Sequence, residues 1–287
     1  MAGSEAIGQV APQGANHGRN FIVAWLALSV IATLLAAFLV GPAIPPGNGS
    51  VQATGQVFDN EVLVAVAAPI CVFVVLFLIY ALTVFRSDGT GANGAALRGD
   101  ARIQILWIVV TSVTVIALAG FGSYELVKDG SGGGQGPSAA FLPSGHAKAL
   151  NVQVIGQQWE FTYRYPSYGG LETPHLMLPA NTLIELHVTS LDVVHDFWAY
   201  QLGVKADANP GIDNVVYVKT KGPRSFQIRC AELCGLWHGY MFDTGQVVTS
   251  AQFTAWINKE KAYYAPVSKY LPPYSHSYLP DPQLRAG

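Results

Sequence analysis

The sequence predicts a membrane anchor of transmembrane α-helices joined to an extramembrane all-β domain, and three observations carry that prediction. Of the 287 residues, 51% are hydrophobic and only 12% are charged, about half the ~25% charged share of soluble domains. The apolar residues concentrate in three windows without a single charge, 21–40, 62–85 and 103–122. From about residue 149 onward, short runs alternate apolar and polar residues between Gly and Pro punctuation, the signature of strands joined by turns. This composition excludes a disordered chain. Sixteen Lys and Arg against eighteen Asp and Glu, net −2, also exclude a basic nucleic-acid-binding face.

Each apolar window suffices to cross a bilayer. A hydrocarbon core of ~30 Å takes ~20 helical residues, and without water every backbone N–H and C=O must be paired within the helix. Basic residues set the orientation. Arg19 precedes the first window, the loop 41–61 has no Lys or Arg, and Arg86, Arg98 and Arg102 lie in the next loop. The N-terminus and the second loop are therefore expected inside, and everything after residue 122 outside. Two fates stay open for the first window, a retained anchor or a cleaved signal peptide; its apolar run exceeds the usual ~7–15-residue signal core. Cleavage leaves the downstream topology unchanged.

Residues 1–61 are thus expected to form an N-terminal segment with the first apolar helix, and 62–122 a transmembrane hairpin. A Gly-rich linker follows over 123–148, with the composition of a flexible tether. Strands are expected at 150–155, 159–165, 183–189, 215–218, 225–230 and 246–249, enough for a β-sandwich or barrel over 149–260. One helix closes it, N-capped by Ser250 and burying Phe253, Trp256 and Ile257. Residues 261–287 end in a Pro- and Tyr-rich arm, expected to be extended and to lie on a partner.

The chemistry concentrates in residues 230–241, C-A-E-L-C-G-L-W-H-G-Y-M. Two thiols (Cys230, Cys234), an imidazole (His238) and a thioether (Met241) within twelve residues form a soft donor set. Thiolate and thioether favour Cu(I), while imidazole accepts both copper oxidation states, so the set suits a centre that cycles. A disulfide and a Cys2His zinc site are the competing readings. Neither uses the methionine. A further histidine, His195, ends the run S-L-D-V-V-H. His17, His146, His175 and His276 fall in expected loops or tails, and His187 shares a polar strand face with Glu185 and Thr189, so all five read as solvated or locally hydrogen-bonded.

Three motifs together resemble subunit II of the haem–copper cytochrome c oxidases: D-V-V-H-D-F-W at 192–198 with the following G-V-K-A-D-A-N-P-G, the C-A-E-L-C-G-L-W-H-G-Y-M loop, and G-Q-Q-W-E-F-T-Y-R-Y at 156–165. The similarity runs from about residue 59 to 257. It implies a cupredoxin-type β-barrel holding a binuclear copper centre, CuA. In that arrangement Cys230 and Cys234 bridge the coppers, His195 and His238 are terminal ligands, and Met241 and the backbone carbonyl of Glu232 are weak ones. Trp159 matches the tryptophan through which the electron enters. The Glu232 side chain matches a carboxylate that helps hold Mg²⁺ at the border with the catalytic subunit.

The function so implied is electron transfer in a respiratory terminal oxidase. CuA accepts electrons from a cytochrome c or a small cupredoxin and passes them to haem in the catalytic subunit I, which reduces O2 to water and pumps protons; oxygen chemistry belongs to that partner, not to this chain. The implied location is the bacterial cytoplasmic (inner) membrane, with other oxidase subunits and lipid as neighbours and the copper domain on the periplasmic face. The alternative is a CuA subunit of another respiratory reductase, such as nitric oxide reductase. Two departures stand out. Gln104 occupies the place of a family glutamate near a proton-channel entrance, which leaves altered proton entry or substitution by Asp100. Arg164 stands where the family often has an acid that attracts a basic cytochrome, leaving Glu160, Asp192, Asp196 and Asp207 as candidate contacts.

Overall fold

The computed structural model describes residues 16–45, 47–85, 99–129, 149–268 and 270. The expectations for the tether beyond 129, for the arm from 271, and for Arg86, Arg98, His146 and His276 lie outside the described residues; residues 123–129 of the expected tether and 261–268 of the expected arm are helical instead. The chain divides into two compact units, Met1–Pro42 with Asn60–Gly122, and Ala43–Asp59 with Ser123–Gly287.

The first unit is helical. Helix α1 (His17–Leu35) runs on into a wider π-type turn over Ala36–Val40; α2 spans Val51–Thr83 and α3 spans Ala101–Asp129. All three are long and apolar enough to cross a membrane. Their Leu, Ile, Val and Phe side chains are mostly exposed, as lipid-facing surfaces require. Aromatic residues join α1 to α2: the Phe21 ring lies edge-on to Phe73 and Tyr80, with centroids 5.4 and 5.3 Å away. The Trp25 indole N–H donates to the carbonyl of Pro69, 2.9 Å away. His17 opens α1 with its ring against Tyr80 and Phe85, so it is not a loop residue. Asp100 caps α3, its carboxylate accepting from the Arg102 amide at 2.8 Å, and thus precedes the helix instead of sharing a face with Gln104.

The second unit is a sandwich of two five-stranded sheets, the cupredoxin-type architecture that the sequence analysis anticipates. Its strands are β1 (Leu150–Gln157), β2 (Glu160–Tyr165), β3 (Leu171–Thr173), β4 (Met177–Pro179), β5 (Leu183–Ser190), β6 (His195–Ala199), β7 (Val204–Ala208), β8 (Asn214–Lys219), β9 (Arg224–Cys230) and β10 (Phe242–Val248). One sheet has the order β3-β2-β1-β5-β8, the other β4-β10-β9-β6-β7. Pairing is antiparallel except for β1 with β5 and β4 with β10. Period-two alternation turns Ile184, Leu186 and Val188 inward from one sheet and Phe226, Ile228 and Cys230 from the other. The first thiol therefore arrives on the apolar side.

Helix α4 (Ser250–Ser268) closes the core with Phe253 and Ile257, and Trp256 is partly buried beside them. Its cap is Thr249, one residue earlier than expected. The Thr249 hydroxyl accepts from the Gln252 amide, and the Gln252 side-chain oxygen accepts from the Thr249 amide, a reciprocal capping box.

Residues 43–59 also belong to this unit, although the sequence analysis places them with the first apolar helix. The Gly49 amide donates to the Gln201 carbonyl at 2.7 Å, and the Lys221 amide donates to the Gly49 carbonyl at 3.1 Å. Ser50 caps α2 through the Ala53 amide while its hydroxyl donates to the Leu202 carbonyl. An added Cβ at Gly49 would lie 2.2 Å from the Gln201 oxygen, so glycine is what permits this approach.

Candidate metal centre

His195 is the first residue of β6, Cys230 is the last of β9, and a loop then runs to Met241, immediately before β10. Both ends of the loop are pinned by the antiparallel pairing of β9 with β10: the Cys230 amide donates to the Met241 carbonyl at 2.9 Å. The Ala231 amide donates to the Asp196 carbonyl at 3.0 Å, tying the loop to β6. Gly235, at φ +118°, supplies a positive φ that few other residues adopt.

This scaffold gathers all six expected donors. The Cys230 and Cys234 sulfurs are 3.7 Å apart, far beyond the ~2.05 Å of a disulfide, and both cysteines are free. His195 Nδ1 lies 3.8 Å from the Cys230 sulfur, and His238 Nδ1 lies 3.5 Å from the Cys234 sulfur. The Met241 thioether is 3.8 Å from the Cys234 sulfur. The Glu232 carbonyl accepts from the Cys230 thiol at 3.2 Å, while its side chain is exposed. Ligand atoms of His195, Cys230 and Cys234 all lie within 4.8 Å of one another. All three residues and Met241 are buried.

The electrostatics distinguish the two thiols. Burial opposes ionisation of Cys230, but hydrogen bonds from His195 and from the backbone overcome it and hold this thiol below its ordinary pKa. Burial and the neighbouring Cys230 push Cys234 well above. Burial by itself would lower His195; its contacts with Cys230 and Asp192 raise it instead. Such a site favours a cation that displaces the remaining protons.

Three residues to which the sequence analysis gave no role at this centre, one of them Asp192, read there as a surface contact, hold the imidazole and the loop. Asp192 Oδ1 lies 2.9 Å from His195 Nε2, which leaves Nδ1 to face the sulfurs; the spacing D-x-x-H was the available signal. Gly156 lies against the ring, since an added Cβ would sit 3.0 Å from His195 Cδ2. Gln158 donates its side-chain amide to the Cys234 carbonyl at 2.8 Å. Trp159, partly buried on the core, directs its indole N–H to the same carbonyl at 3.3 Å.

Other expectations are corrected. Arg164 is no docking residue: it is 3% exposed and bonds Glu172 at 2.9 Å and Gln153 at 2.8 Å. It therefore says nothing about steering a donor. Asp196 is likewise buried, at 4% exposed, and so is not available as a contact. His187, by contrast, meets the second of its two expected fates: it is buried and locally hydrogen-bonded, with Nδ1 2.8 Å from Asp213 and Nε2 3.3 Å from Glu185.

The sequence model of the family described as cytochrome C oxidase subunit II, periplasmic domain, matches residues 170–251, the stretch that contains all six donors. A probable cytochrome c oxidase subunit 2 of Rickettsia prowazekii is 28% identical over 54% of this chain, although the match spans only 52% of that protein. The cytochrome c oxidase subunit 2 of Cereibacter sphaeroides is 25% identical over 82% of this chain and 87% of its own length. The solved periplasmic domain of subunit II of cytochrome oxidase (CoxB) of Bradyrhizobium japonicum is 30% identical, covering 41% of this chain and 96% of that one at a TM-score of 0.40. With the family match lying over the donor-bearing strands and the Bradyrhizobium domain 30% identical across 96% of its length, the chain belongs to the cytochrome c oxidase subunit II family.

Proposed function

We propose that this chain is the electron-transfer subunit of a respiratory terminal oxidase, holding a binuclear CuA centre. The observation that carries the reading is the convergence of two thiols, two imidazoles, a thioether and a peptide carbonyl around one buried point. The donors fit a copper pair: soft sulfur and borderline imidazole suit a metal that alternates between Cu(I) and Cu(II), whereas a structural zinc would leave the thioether without a role. Held by Cys230, Cys234, His195, His238, Met241 and the Glu232 carbonyl, a copper pair would supply a one-electron couple.

The protein's own contribution is rigidity and exclusion. Asp192 holds the His195 ring in one orientation, and the Cys230–Met241 backbone bond fixes the loop ends. Phe161 and Phe197 pack edge to face behind the site, keeping water from its inner side. Trp159, hydrogen-bonded to the Cys234 carbonyl, is the entry point for an electron from a cytochrome c or a small cupredoxin. The acceptor is haem in the catalytic subunit, where O2 is reduced to water and protons are pumped. The exposed Glu232 carboxylate contributes to Mg²⁺ at that border. Helices α1–α3 anchor the chain in the bacterial cytoplasmic membrane and the β-domain works on the periplasmic face.

The test is metal analysis with electron paramagnetic resonance on the full chain in detergent. Two coppers per chain sharing one unpaired electron is the expected result. One copper, zinc, or a Cys230–Cys234 disulfide that resists copper after reduction would overturn the assignment. The haem content and substrate of the purified complex separate an oxygen reductase from a nitric oxide reductase.

A further inference from the structure

We propose that Gln158 is a positioning residue for the metal centre, holding both ligand-bearing segments from the opposite sheet; the proposal rests on the copper reading above. Gln158 lies in the turn between β1 and β2, in the sheet that supplies none of the six donors. Its side-chain amide donates to the Cys234 carbonyl at 2.8 Å. Its backbone N–H donates to Asp192 Oδ2 at 2.7 Å, while the other oxygen of that carboxylate lies 2.9 Å from His195 Nε2. One residue therefore fixes the loop at one thiolate and, through Asp192, the orientation of one imidazole.

The loop is shaped to admit this contact. An added Cβ at Gly235 would lie 2.9 Å from the Gln158 side-chain nitrogen and 3.4 Å from the Trp159 ring. The missing side chain at 235 is what lets the amide reach the carbonyl of the preceding cysteine. Partners of this kind set the orientation and basicity of metal ligands, and their loss typically costs ~10–100-fold in metal affinity. Gln158 is itself exposed and outside the hydrophobic core, so removing its amide affects the fold far less than the site.

The experiment compares the full chain in detergent with Gln158→Leu, which keeps the backbone N–H and the side-chain bulk but removes the donor. Gly235→Ala crowds the same amide from the other side and also strains the loop backbone at φ +118°, so Gln158→Leu is the deciding variant. Expected are an unchanged stoichiometry at saturating copper, copper release to a chelator about tenfold faster, and an altered hyperfine pattern in both variants. A purely structural role would lower the unfolding temperature and leave the spectrum of the folded fraction unchanged. Wild-type release and spectrum in Gln158→Leu would overturn the proposal. If the wild-type chain itself fails to bind a copper pair, the copper reading falls. Positioning is then judged without metal, by amide hydrogen exchange at residues 234–237, and no acceleration in Gln158→Leu overturns it.

Discussion

Replacing Gly156 by alanine tests whether His195 is held where a ligand must be. The new methyl would lie 3.0, 3.2 and 3.3 Å from Cδ2, Cγ and Cβ of His195, inside the usual ~3.5–4.0 Å separation of carbon atoms. Restoring even a tight contact requires the ring to retreat by ~0.4 Å, close to the ~0.5 Å within which functional constellations must be held. The ring cannot retreat freely, because Nε2 is bonded to Asp192 and Nδ1 faces the Cys230 sulfur. Overpacking of this kind costs roughly 1–3 kcal/mol, or a fall in unfolding temperature of roughly 4–10 °C. The displaced imidazole should weaken copper retention by about tenfold, equivalent to ~1.4 kcal/mol. Gly222→Ala is the control, since nothing lies within 4 Å of the added methyl; its stability should stay within ~0.5 kcal/mol of wild type. Calorimetry of the metal-free chain and chelator competition on the copper-loaded chain give the two readings. A Gly156→Ala chain that loses stability yet keeps wild-type copper retention and spectrum would refute the placement of His195 as a ligand.

Tyr165→Phe should cost ~1–3 kcal/mol with no effect on copper, because the phenol donates to the Met177 carbonyl and accepts from the Met177 amide, both at 2.9 Å; denaturant melts measure it. Gly245→Ala should be more damaging than Gly156→Ala, since its methyl would meet the Phe226 ring at 2.2 Å within the core, and a fall of only 1–2 °C would contradict that packing. Arg164→Met should destabilise the β-domain by ~1–3 kcal/mol, because the buried Gln153 oxygen and the partly exposed Glu172 carboxylate lose their guanidinium donor, without changing the salt dependence of reduction by an external donor; a changed dependence would return Arg164 to the docking surface. Copper at about a hundred times its dissociation constant should add ~2.7 kcal/mol of stability, reversed by a chelator. An unfolding temperature indifferent to copper would mean that the metal binds elsewhere or binds the unfolded chain equally.

The sequence showed what depends on local pattern. Charge-free windows locate the three helices. Period-two burial is clean in β9, whereas β1, β2, β5 and β8 read as strands through apolar and aromatic runs bounded by turn residues and are buried at consecutive positions. It missed β3, β4, β6 and β7, of three to five residues each. In β6 the run H-D-F-W-A has no apolar–polar alternation, since even Asp196 is buried. The six expected donors could be grouped from sequence because five of them lie within one twelve-residue stretch and the family motifs tie in His195. Arg164 was misread for the opposite reason. Glu172 is eight residues away and Gln153 is eleven, so only cross-strand register reveals that the guanidinium is enclosed. Ser50 and Gly49 gave no signal because their partners, Gln201 and Leu202, are about 150 residues distant.

The division of labour between the two sheets explains why the residues that hold the site were harder to find than the expected ligands. Every donor sits on β6, at the end of β9, or in the loop before β10, all in one sheet. The contacts that hold them come from β1 and its turn in the other sheet, Gly156, Gln158 and Trp159, with Asp192 in the connection between β5 and β6. A ligand loop attached to one sheet alone could rock about its anchored ends. Clamped from the second sheet at the Cys234 carbonyl and at the His195 ring, it can move only if the sandwich itself shears, which its close-packed aromatic core resists. If the centre holds the proposed copper pair, small ligand motion between oxidation states is what rapid electron transfer at low driving force would require, and the rigidity for it is built across the core and not along the chain.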